Sequence, residues 1–102
     1  MKLQVKSGVC FHSDSFGDCS VMRILRVVCQ EAPEGYSPTV TSGCDGVHST
    51  NSSHYVGKGF DFRTRDLDPA TVQTWAKRIK GALGDYYFVL VESDHIHIQF
   101  NG

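Results

Sequence analysis

No stretch of this sequence stays apolar for long. The longest run, Tyr86 to Val91, falls well short of the roughly 20 residues needed to cross a bilayer, so no membrane partner is expected. The first residues, Met1 to Val9, are broken by Lys2 and Lys6. They lack the apolar segment of roughly 7–15 residues that an export signal requires, so synthesis in the cytoplasm is expected. Clustered positive charge is also missing: 10 Lys and Arg stand against 11 Asp and Glu, for a formal net charge of −1. Nucleic-acid binding neutralises many phosphates with grouped basic side chains, and this balance argues against it. The densest basic run, Lys77 to Lys80, reads as the wet face of a helix. None of the four cysteines, Cys10, Cys19, Cys29 and Cys44, stands in a C-x-x-C pair, which excludes a zinc ribbon and a thioredoxin-type motif. Four cysteines allow two disulfides, but without an export signal reduced and mostly buried thiols are expected. Repeats, low-complexity tracts and dividing linkers are absent as well.

What is present describes one globular domain, residues 1–102, with 40% hydrophobic residues and too little net charge for disorder. Lys2 to Lys6 alternates as a short strand does, and Ser7 to Gly17 is rich in loop formers. From Asp18 to Glu31 the apolar residues Val21, Ile24, Leu25, Val28 and Cys29 recur at helical spacing, with Asp18 or Ser20 as the cap. Ser37 to Ser42 forms a short strand and Gly43 to Ser53 a long polar loop. In Lys58 to Arg63, Phe60 and Phe62 alternate with Gly59, Asp61 and Arg63, a strand pattern. Asp68-Pro69 opens a second helix with Val72, Trp75, Ala76, Ile79 and Leu83 on one stripe. Two strands follow, Tyr86 to Glu92 and His95 to Phe100, joined tightly at Ser93-Asp94. The order β, α, β, β, α, β, β predicts an α+β fold: a small antiparallel sheet with the helices packed on one face.

The chemically distinctive side chains crowd into the second half: His48, Ser52, His54, Asp61, Glu92, Asp94, His95 and His97. On the last strand His95 and His97 are two apart, so they share one sheet face while Ile96 and Ile98 take the other. Imidazole nitrogens and a carboxylate oxygen are the donors of a catalytic zinc site, which uses three protein ligands and leaves a position for water. His54, Asp61 and His97 make such a set.

The spacing of these residues resembles a known family. Ser52, His54, Gly57 and Asp61 match the S-x-H-x-x-G-x-A-x-D signature of the zinc DD-peptidases, the D-alanyl-D-alanine carboxypeptidase-like enzymes, except that Gly59 replaces the usual alanine. Asp94-His95-Ile96-His97 is similar to that family's second motif, a carboxylate three residues before the last ligand. The stretch also resembles the signalling domain of Hedgehog proteins, which shares the fold, through His48-Ser49, Ser52, His54-Tyr55, Gly57, Asp61, Glu92-Ser93 and His95-Ile96-His97. Together the likeness covers roughly residues 39–100, and two motifs in the right order are more specific than either alone.

The resemblance implies Zn²⁺ held by His54, Asp61 and His97. Asp94 has the spacing the peptidases use for the base that takes a proton from the attacking water, and Glu92 matches the Hedgehog-like placement, with Asp94 preferred. His95 then assists the reacting oxygen, Ser52 orients the loop or substrate, and His48 resembles a Hedgehog site histidine. One departure stands out. Many of the peptidases carry an arginine after the S-G of their first core strand, where it holds the substrate carboxylate. Here Thr41-Ser42-Gly43 is followed by Cys44-Asp45, and Arg63 or Arg65 is left to supply that charge. Asn51-Ser52-Ser53 is a formal glycosylation sequon, read as coincidence inside the metal loop. The implied activity is a zinc metallopeptidase, carboxypeptidase or endopeptidase, acting as a monomer on peptidoglycan stem or cross-link peptides. The small size fits a phage or prophage lysis or tail-associated protein that reaches the cell wall after release. The alternative is a non-catalytic, zinc-stabilised Hedgehog-like binding domain.

Overall fold

Alternating strands and two striped helices bury their apolar sides against each other to make a single core. The structure, a computed structural model, describes residues 3–9, 19–43 and 59–101. In chain order its elements are β1 (Gln4–Val5), α1 (Cys19–Gln30), β2 (Thr39–Ser42), β3 (Gly59–Arg63), α2 (Pro69–Leu83), β4 (Tyr87–Val91) and β5 (His95–Phe100). The strands form one sheet in the order β1-β2-β3-β5-β4.

The α+β architecture is as expected, with one correction to the sheet. β2, β3, β5 and β4 are antiparallel neighbours, but β1 pairs parallel to β2, Gln4 beside Thr39 and Val5 beside Val40. The sheet is therefore mixed. A parallel neighbour requires a crossover connection, and here the chain returns from β1 to β2 by way of α1.

Val40, Phe60, Phe62, Ile96 and Ile98 line the covered face of the sheet and are buried together with Val21, Ile24, Val28, Val72, Trp75 and Ile79 of the helices. In α1, Val27 also joins the core, while Leu25 and Cys29 are only half-buried. Ser20 lies inside α1 and is not its cap, and Asp18 lies outside the described residues. Cys19 is exposed, so neither of the two described cysteines is a core thiol; burial does push the Cys29 thiol upward in pKa. Cys10 and Cys44 are outside the described residues.

Both ends of α2 are fixed by side chains. Asp68 caps its start, accepting the Thr71 backbone N–H at 3.1 Å and the Thr71 hydroxyl at 2.6 Å, and these bonds hold the Asp68 carboxyl below its usual pKa. At the other end Arg23 of α1 donates to the carbonyls of Ala82 and Leu83, supplying donors and positive charge where a helix terminus lacks both. Between these ends Trp75 is 1% exposed, its indole N–H donating to Val28 O at 3.3 Å and its ring meeting Tyr36 edge to face at 5.6 Å. This residue ties α2 to α1 and to the segment leading into β2. Replacing it leaves a large void and a buried carbonyl without its donor. Trp75→Ala is expected to cost about 3–5 kcal/mol in chemical denaturation, and an unchanged unfolding midpoint would show that the helices do not lock together through this ring.

Candidate metal and catalytic site

The face of the sheet opposite the core carries the polar residues of β3 and β5, and strand register puts them side by side. Phe60 pairs with Ile98 and Phe62 with Ile96 on the covered face, so Asp61 pairs with His97 and Arg63 with His95 on the open one. The Asp61 and His97 side chains meet: His97 Nδ1–H donates to Asp61 Oδ1 at 2.9 Å, and both are largely shielded, at 14% and 16% side-chain exposure. His97 Nε2–H donates in turn to Gln99 Oε1 at 2.6 Å. Burial alone would lower the His97 pKa, but the bonds to Asp61 and Gln99 and the charges of Asp61 and Glu92 outweigh it and raise the value. With an acceptor on each nitrogen, the ring favours its doubly protonated form.

A second carboxylate–imidazole pair stands at the start of the same strand. His95 Nδ1–H donates to Asp94 Oδ1 at 2.7 Å, and His95 Nε2 lies 3.8 Å from Asp61 Oδ2. The bond from His95 holds the exposed Asp94 carboxyl below its usual pKa. The two-residue turn Ser93-Asp94 closes with Glu92 N–H donating to His95 O at 2.8 Å, and Thr64 N–H donates to Asp94 O at 3.0 Å, which moors the turn to the end of β3. A register irregularity in β2 between Val40 and Ser42 brings Ser42 opposite Asp61. The result is a polar cavity of about 220 Å³ lined by Asp61, His95, Asp94, Arg63, Arg65 and Lys6, with Thr41 and Ser42 at the β2 side.

Comparison with protein-family models and with curated proteins gives no significant match. The assignment of the site therefore rests on residues and geometry.

Of the sequence-predicted residues, Asp61, His95, Asp94 and Arg63 line this cavity, and His97 bonds to Asp61 without lining it. Glu92 does not line this cavity; it borders a separate depression with Thr64, Leu67 and Val72, although its charge acts on His97. His48, Ser52, His54 and Gly57 lie outside the described residues. Among the described residues no three His, Cys, Asp or Glu side chains form a metal-ready group; Asp61 and His97 are the two described members of the expected zinc set. By donor type, an oxygen and an imidazole nitrogen, both largely shielded, they fit the hard and borderline donors zinc takes. His54 is the third donor that the spacing implies.

Sequence reasoning missed Gln99. Gly59 stands in β3, paired with Gln99, as the strand pattern of 58–63 implies. The signal available was the H-x-Q spacing on an alternating strand, which puts Gln99 on the imidazole face.

The metal assignment predicts one zinc per chain by elemental analysis of purified protein. Asp61→Ala, His97→Ala and His54→Ala should each fall to background while keeping the far-ultraviolet dichroism of the parent. Full zinc content in His97→Ala would remove that residue from the site.

Proposed function

We propose that the protein is a zinc-dependent peptidase of peptidoglycan stem or cross-link peptides. The observation that carries this reading is the in-register facing of Asp61 and His97 on the open side of the sheet, with the Asp94–His95 pair beside them. Asp61, His97 and His54 would hold the ion. When bound, zinc supplies Lewis-acid polarisation of the scissile carbonyl and a lowered pKa for the attacking water.

The remaining chemistry belongs to the side chains. Asp94 is the exposed carboxylate beside His95, which holds its carboxyl below the usual pKa; it would accept a proton from the attacking water and return it to the leaving amine, the bond to His95 making it a weaker base than a free aspartate. His95, held through Nδ1–H by Asp94, turns Nε2 toward Asp61; in its protonated form it donates there to oxygen that gains negative charge. Lys6, Arg63 and Arg65 border the same cavity. They take the place of the arginine missing after Gly43 by meeting a carboxylate on the substrate. The Hedgehog-like alternative keeps the ion and dispenses with turnover.

Digestion of purified peptidoglycan, with mass analysis of the released peptides and with and without chelator, separates these readings. Chelator-sensitive release is expected. Asp94→Asn should reduce it by roughly 10² to 10⁴ at matched zinc occupancy, and Glu92→Gln should have a much smaller effect. A large loss in Glu92→Gln with near-normal Asp94→Asn would reverse the assignment of the base. A zinc-loaded parent protein that releases nothing from several wall types would favour the binding domain.

A further inference from the structure

His97 Nε2–H donates to Gln99 Oε1 at 2.6 Å, and the Gln99 amide is fixed from its other end, Nε2 donating to Asn101 Oδ1 at 2.7 Å. The amide therefore presents its oxygen to the ring and its nitrogen away from it. Gln99 and His97 share the open face of β5, and beneath them Gly59 pairs with Gln99. A Cβ at position 59 would meet Gln99 Cβ at 3.2 Å, Ile98 O at 3.1 Å and His97 Cε1 at 3.5 Å. The first two distances are tight, so an alanine here would press on the Ile98 backbone and on the base of Gln99, which would have to give by a few tenths of an ångström. This is the position where the peptidase signature otherwise carries alanine.

We propose that Gln99, seated over Gly59, is a positioning residue for the metal ligand His97. An imidazole ligates through one nitrogen, and the bond made by its other nitrogen decides which one is free. Gln99 Oε1 accepts only from a protonated Nε2, so the nitrogen that would ligate is Nδ1, which in the metal-free protein donates its proton to Asp61 Oδ1 and would release that proton when a metal takes its place. The inference rests on the zinc reading and adds to it the choice of nitrogen. The same contact fixes the ring plane, so its loss costs affinity even where the fold is intact.

The test is zinc affinity, measured by competition with a chromogenic chelator, on the parent, Gln99→Ala, Gln99→Glu and Gly59→Ala, with the thermal melt of each metal-free protein. Gln99→Ala should bind zinc roughly 10- to 100-fold more weakly, and Gln99→Glu, which keeps an acceptor at the same reach, should recover most of the loss. Gly59→Ala should weaken zinc binding in the same direction. Long-range proton–nitrogen spectra of the zinc-loaded parent should show His97 protonated at Nε2 and metal-bound at Nδ1. Parent-like affinity in Gln99→Ala, no recovery in Gln99→Glu, or ligation through Nε2 would overturn the proposal while leaving the zinc site standing. A parent protein that binds no zinc would overturn both.

Discussion

Period-two alternation across the β3–β5 ladder is the constraint on which the site depends. Burying Phe60, Phe62, Ile96 and Ile98 fixes the register of the two strands, and the same register sets Asp61 against His97 and Arg63 against His95 on the other side. A slip by one residue would expose four large apolar side chains and drive a carboxylate and two imidazoles into the core. The hydrophobic effect thus places the polar groups, and the hydrogen bonds among them refine a position already set.

Electrostatics then sorts the polar face into two carboxylate–imidazole pairs with different surroundings. Asp61 and His97 are shielded, and His97 gains a second acceptor in Gln99; Asp94 is exposed and bonded to His95. Shielding strengthens the attraction within the first pair, because little water competes for either partner. The second pair is wetter, with Asp94 exposed to solvent. Lys6, Arg63 and Arg65 set positive charge beside these carboxylates.

Much of this was legible in the sequence because each feature is local. The Val72 to Leu83 stripe, the Asp68-Pro69 start and the alternation in 58–63 and 95–100 each report on side chains close in the chain, and the corresponding elements form where that reading puts them. The facing of Asp61 and His97 was legible through strand alternation together with motif spacing. The parallel placement of β1 was not, since the pairing partner of a two-residue strand is decided by tertiary packing. Gln99 was missed for a related reason: a polar strand residue reads as solvated surface until its partner is known. The exclusion of Glu92 from the cavity was likewise illegible, because its place depends on how the Ser93-Asp94 turn is moored to Thr64.

Substitution with cobalt(II) tests the central claim most directly, since its visible spectrum reports the coordination of an ion in the site rather than the outcome of a reaction. A set of one carboxylate and two imidazoles predicts intense visible bands of low coordination number at one cobalt per chain, abolished by stoichiometric zinc. Weak bands indistinguishable from those of six-coordinate cobalt in buffer would contradict the account and leave Asp61 and His97 as an ion pair of the sheet surface.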